Sequence, residues 1–323
     1  MSLRFNSGHF SGEKRGRIIA LMFIFIDIGM MSFTLVYYKA FTGSMRFDKL
    51  MIVVTCFNAF VYLFCMIFLR SSTSDISGIT VEKEELQSEN FTYQPIDADN
   101  LKEQSFWELL LSMDYQLLAI LCSSTFAVSL LLSNNLTVLT REEGLSSFDS
   151  IITLLYPPLV IITALLFSLI SDKAMHRLSR ISFINIGGMC LCISSILNAF
   201  ISTSRAVVVT AVVFGAAGTG IVYTIGPTAM SEMFHIDNFM RNWGLVMLMR
   251  AILIIILHVI FGALYDMELK TADAMFCKGL HCTRYGYVVT GGVALVAIGL
   301  GICLIVRRNR KIRELIKCFD KHE

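Results

Sequence analysis

Eight times along its 323 residues the sequence holds an apolar stretch of about twenty residues, long enough to cross the roughly 30 Å hydrocarbon core of a bilayer as a helix. Inside that core no water satisfies the backbone, so each stretch must form its hydrogen bonds internally, which selects the α-helix. The stretches cover residues 18–38, 49–69, 115–139, 149–170, 181–201, 206–230, 243–265 and 286–306. Composition agrees: 55% of the residues are hydrophobic, 16% are charged, and the mean hydropathy is +0.67. The fold class expected is an all-α, multi-pass membrane protein of about eight transmembrane helices. The near balance of 27 basic and 25 acidic residues gives no reason to expect a nucleic-acid partner.

Charge divides the chain. Residues 70–114 are rich in carboxylates, among them Glu82, Glu84, Glu85, Glu89, Asp97, Asp99 and Glu103, and hold few large apolar side chains, a pattern that predicts a structureless acidic linker. The layout is thus a polar N-terminus (1–17), two helices (18–69), the linker (70–114), six helices (115–306) and a basic tail (307–323). Eighteen Lys and Arg fall in the N-terminus, linker, 171–180 loop, the turn holding Arg241, and the tail. Eight fall in the opposite loops, and Arg250 lies within a stretch. The positive-inside bias therefore predicts that both termini and the linker are cytoplasmic, in the plasma membrane or an endomembrane. Asn90-Phe91-Thr92 matches a glycosylation acceptor but falls on that cytoplasmic side.

No Gly-x-Ser-x-Gly, Walker loop or metal-spaced His/Cys cluster occurs, so neither an enzyme nor a cofactor or metal is expected. What could bind a solute is polar chemistry inside the apolar stretches, where an ionisable group costs a few kcal/mol and faces an interior or a partner. Asp27 lies in the first stretch. Arg250 lies seven residues after Trp243, about 10 Å into the seventh, and His258 follows eight residues later, about 80° round the same helix. Asn134 and Asn135 place two amides deep in the third stretch, and Tyr223 adds a hydroxyl in the sixth. Tyr156-Pro157-Pro158 removes two backbone donors and predicts a kink. Gly215 with Thr219, and Ala216 with Gly220, predict close helix approach. Ile312, Leu315, Ile316 and Phe319, at helical spacing among the tail's basic residues, fit a segment lying on an anionic leaflet, although fixing orientation is the favoured explanation of the charge.

Four stretches resemble the major facilitator superfamily, in particular its nodulin-like branch near the monocarboxylate and oxalate carriers. Ser171-Asp172-Lys173 with Arg177 resembles the loop joining the second and third helices of each six-helix half. Asn134-Asn135-Leu136 resembles an Asn pair in the family's seventh helix, Ser231-Glu232-Met233-Phe234 the end of the tenth, and Tyr265-Asp266 with Cys277-Lys278-Gly279 and Cys282 a stretch between the last two helices. The resemblance implies a complete C-terminal six-helix half, 115–306, preceded by two helices of an N-terminal half whose first four are absent. It implies a gating loop built on Asp172, Lys173, Arg177 and Glu232. It implies a secondary-active or facilitative transporter of a small organic solute, a monocarboxylate or other organic anion, working by alternating access. Arg250 and Tyr156-Pro157-Pro158 depart from the family pattern. Cys277 and Cys282, five residues apart in a non-cytoplasmic loop, are expected to form a disulfide.

The expected partners are the solute, the lipid bilayer, and the missing N-terminal helices or another membrane chain. With two helices opposing six, the face of the intact half lies open, and such a chain is not expected to catalyse uptake alone. The competing reading is a non-transporting membrane protein that binds a partner through that face.

Overall fold

The computed structural model describes residues 106–136, 146–174, 178–200, 204–234, 238–272 and 281–319, together with positions 29, 52, 55, 56, 59 and 60. The chain divides into two units, Met1–Gly29 with Pro95–Glu323, and Met30–Gln94. Of the second unit only positions 52, 55, 56, 59 and 60 are described, all helical. The apolar stretches 18–38 and 49–69 lie almost entirely outside the described residues.

Among the described residues the first unit contains α1 (Phe106–Leu111), α2 (Met113–Asn134), α3 (Ser146–Ala174), α4 (Arg180–Phe200), α5 (Arg205–Met233), α6 (Phe239–Ala272) and α7 (His281–Phe319), and no strand. The last six are long and apolar enough to cross a membrane. They coincide with the six apolar stretches after the linker. Serine hydroxyls open two of them: Ser112 Oγ accepts from Tyr115 N at 3.3 Å, and Ser204 Oγ from Val207 N at 3.4 Å, satisfying donors that a first helical turn leaves unpaired.

The bundle is apolar outside and partly polar inside, as a hydrocarbon solvent demands. Ile252, Ile255, Ile256 and Val259 of α6 and Leu165 and Leu169 of α3 are exposed, whereas Ser123, Thr125 and Ser129 of α2 and Thr224 and Thr228 of α5 are buried. The buried hydroxyls donate back to their own helix, Thr125 to the Leu121 carbonyl at 2.9 Å and Thr228 to the Thr224 carbonyl at 2.7 Å, so none requires water. Helix approach is set by missing side chains. A Cβ on Gly218 of α5 would stand 2.7 Å from the carbonyl oxygen of Gly187 on α4. One on Gly220 would run into the Thr163 hydroxyl and stand 2.6 Å from the Val160 carbonyl on α3. Thr219, between them, shares a hydrogen bond of 2.8 Å with the hydroxyl of Tyr156.

Three expectations change. The linker is not structureless to residue 114: Trp107, Leu109, Leu110 and Leu111 give α1 enough apolar surface to bury Leu109 at 2% exposure. The helices outrun their apolar stretches, α6 spanning Phe239–Ala272 and α7 His281–Phe319, because backbone bonding continues where hydrocarbon ends. Residues 307–319 of the basic tail continue α7 without a break and are not a separate surface helix. They are tied back to the start of α2, where Asp114 accepts from Arg307 Nε and Lys311 Nζ, both at 2.6 Å.

Candidate functional site

Two arginine-centred groups emerge, one where α3, α4 and α5 meet and one between α2, α5 and α6. In the first, Arg180 opens α4 and is buried to 5% exposure. Its Nε donates to both carboxylate oxygens of Glu232 at 2.7 Å, Nη1 to Ser171 Oγ at 3.1 Å, and Nη2 to Asp172 Oδ1 at 3.0 Å. Asp172 stands near the end of α3 and Glu232 near the end of α5, so one guanidinium joins three helix termini. Each buried ion of the cluster has a partner of opposite sign, one guanidinium serving two carboxylates, the condition under which buried ions are tolerated. Of the expected gating residues the structure unites Asp172 and Glu232. Lys173 is exposed, and Arg177 lies outside the described residues. Arg180 was counted in the sequence only as an orientation charge, although a cation eight residues after Asp172 at the first position of a span was a usable sign.

The second group is built on α6. Arg250 is half-buried, with its guanidinium carbon 5.2 Å from the Phe126 ring centre on α2 and 5.9 Å from that of Tyr223 on α5. Nη1 lies 3.5 Å from Met247 Sδ. Phe126 and Tyr223 stack at 4.7 Å and 12°, and Trp243 meets Phe126 edge-on at 5.6 Å. Gly226 makes this stack possible, since a Cβ there would press to 3.2 Å on Phe126. Among the described residues no carboxylate lies within ion-pair distance of Arg250. The guanidinium rests on ring faces, each contact contributing about 0.5–2 kcal/mol, and keeps N–H donors without a charged acceptor.

Further along α6, His258 Nε2 lies 3.4 Å from Asn134 Nδ2, and Nδ1 lies 2.9 Å from the Ile254 carbonyl oxygen. The two asparagines separate in role: Asn134 is exposed and reaches α6, whereas Asn135 donates to the Leu131 carbonyl of its own helix at 2.8 Å. The structure thus brings Tyr223 to Arg250 and Asn134 to His258, and leaves Asn135 closing α2. Asp27 and Cys277 lie outside the described residues. Cys282 is disulfide-bonded, whereas Cys122 and Cys192 are free and buried. Among the described residues no group of His, Cys, Asp and Glu could hold a metal. Phe126, Trp243 and Met247 were not singled out from the sequence, because nothing in the spacing of one helix reveals which rings another helix turns toward it.

No curated protein matches the chain. The family model described as the Major Facilitator Superfamily matches residues 1–258, which includes the two apolar stretches before the acidic segment, four of the six described spans and part of the fifth. With that match over most of its length and a bundle of six apolar helices, the chain belongs to the major facilitator superfamily of multi-pass membrane transporters.

Proposed function

We propose that the protein is a secondary-active or facilitative carrier that moves a small organic anion, of the monocarboxylate class, by alternating access. The observation that carries the solute class is Arg250, a half-buried guanidinium in mid-helix lying over two aromatic rings with no carboxylate partner among the described residues. A carboxylate bonded by such a group gains two short charge-assisted hydrogen bonds in a setting where water competes weakly. Tyr223 lies against Arg250, and Asn134, Asn135 and His258, with Asp27 of the first apolar stretch, are assigned to the same pathway. The resemblance of Asn134-Asn135 and Ser231-Glu232-Met233-Phe234 to the nodulin-like branch supports the reading.

Gating is assigned to the loop carrying Asp172, Lys173 and Arg177, with Glu232 and the Arg180 that binds Asp172 to it. A cluster joining three helix ends has to loosen if those ends part during alternating access. The imbalance of basic residues supports cytoplasmic termini and a cytoplasmic acidic segment 70–114. The loop bearing Cys277 and Cys282 then lies on the oxidising side, where we assign them to one disulfide.

The test is reconstitution of the purified chain in liposomes with radiolabelled pyruvate, lactate and oxalate as probes. Probe binding that Arg250→Gln weakens about ten- to a hundredfold, with an unchanged melting temperature, is the expected result, and saturable uptake would show that the chain also transports by itself. Binding without uptake assigns transport to a longer or partnered assembly. Neither binding nor uptake of any probe, or uptake unaffected by Arg250→Gln, overturns the organic-anion reading.

A further inference from the structure

One face of α7 carries apolar side chains along the span and arginines where the span ends. Val288, Leu295, Ile302 and Val306 are all exposed, and at about 100° per residue they fall within about 40° of one another round the helix. From Val288 to Val306 the helix rises about 27 Å, close to the thickness of a hydrocarbon core. An exposed apolar row of that length lies against lipid tails. Arg310 and Arg313 continue the same face, within about 40° of Val306 and about 6 and 10 Å farther along the axis. Both are exposed. A headgroup layer adds about 5–8 Å outside the core. Helical side chains lean toward the N-terminal end of their helix, here back toward the bilayer, so both guanidinium groups reach the depth of the lipid phosphates.

The basic residues on the bundle side of this extension are already engaged. Arg307 and Lys311 both meet Asp114 of α2 at 2.6 Å, which ties the extension to the bundle. On the lipid side Arg310 pairs with Glu314 at 3.1 Å, an exposed contact between residues four apart that another anion can replace. Arg313 gives Nε to the Asn309 carbonyl at 3.3 Å and has no carboxylate within ion-pair distance among the described residues. Five cations, Arg307, Arg308, Arg310, Lys311 and Arg313, thus stand beside two carboxylates, Asp114 and Glu314, and the excess of positive charge falls at headgroup depth.

We propose that Arg310 and Arg313 bind the headgroup of an anionic phospholipid whose acyl chains lie along Val306, Ile302 and Leu295. A guanidinium fork matches two phosphate oxygens, and the second arginine meets the further negative charge of such a headgroup. The apolar row and the basic pair follow one another on a single helix face in the order of a lipid's tails and head. Fixing orientation requires only a count of cations near the span, not their alignment with its lipid-facing row. A zwitterionic lipid carries its own cation beside the phosphate, which these arginines repel. The seat does not depend on which solute Arg250 binds.

The purified full chain in neutral detergent is titrated with phosphatidylserine or with phosphatidylcholine of the same acyl chains, and retained lipid is measured by native mass spectrometry. The wild-type chain is expected to prefer phosphatidylserine by about twenty-five-fold at low salt, less at high salt. Arg310→Gln and Arg313→Gln are each expected to lower phosphatidylserine affinity about fivefold, and the double variant to hold both lipids equally. Arg284→Gln, at the other end of α7, is expected to keep the preference. If the double variant does not fold, the single variants decide in the same sense. Equal retention of the two lipids by the wild-type chain overturns the proposal, and so does a preference undiminished by the arginine substitutions or lost as fully in Arg284→Gln. Displacement of the lipid by excess inorganic phosphate at constant ionic strength identifies a site for free phosphate and overturns the lipid assignment.

Discussion

Arg180 and Arg250 are the same side chain on two helices, α4 and α6, and the bundle uses them in opposite ways. Arg180 bonds Glu232, Asp172 and Ser171 at 2.7–3.1 Å and is nearly sealed from solvent. Arg250 rests on ring faces and a thioether, with no carboxylate partner among the described residues. A guanidinium whose donors are used internally fixes structure and has nothing left for a solute. One held only by diffuse, weak attractions can exchange them for a carboxylate at small cost. Counterion supply, more than depth or residue type, separates the architectural arginine from the binding one.

The contrast is most easily broken at Arg180. Arg180→Ala removes the cation that Asp172 and Glu232 share, and losing one member of a buried ion cluster costs about 3–5 kcal/mol. A large fall in melting temperature in detergent is expected. A variant as stable as the wild type would show that the cluster is not structural. Arg250→Gln should behave in the opposite sense, with stability nearly unchanged but affinity for a monocarboxylate lower by about ten- to a hundredfold, the span of charge-assisted hydrogen bonds. Calorimetric titration with pyruvate separates the two arginines directly.

Packing offers a smaller control. Gly218→Ala puts a Cβ about to collide with the Gly187 backbone, which cannot swing aside as a side chain would, and overpacking of this kind costs about 1–3 kcal/mol. Its melting temperature should fall while pyruvate affinity holds, because α4 contributes nothing to the Arg250 seat. The smallest effect is expected at Asp114, whose partners Arg307 and Lys311 are 44% and 42% exposed. Asp114→Asn should cost no more than about 1 kcal/mol, and raising the salt concentration should shrink the difference from wild type.

Much of the fold was legible because hydrocarbon imposes a length and an internal bonding rule on any helix crossing it. Six apolar stretches correspond to six long helices, and small residues at Gly215, Ala216, Thr219 and Gly220 mark a face that packs against α3 and α4. What a length rule cannot show is where a helix stops once it leaves hydrocarbon, which is why α7 runs on through Arg307–Arg313 and why α1 breaks the acidic segment. Within the sites, Asp172 and Glu232 were found through resemblance, but Arg180 between them was not, since its importance comes from two partners on other helices. Asn134 and Asn135 looked equivalent in sequence. A single residue step, about 100° of helix, separates a side chain that reaches His258 from one that bonds the Leu131 carbonyl.

The sequence by itself determined that this is a bundle of membrane helices and that Arg250 is a charge placed where charges are expensive, because burial in hydrocarbon is decided by composition and length alone. Only the tertiary structure decided which ionisable groups have counterions. That Arg180 is matched by two carboxylates while Arg250 meets Phe126 and Tyr223 depends on the rotation and approach of α2 through α6 about one another, and those are set by packing between helices that no single helix encodes.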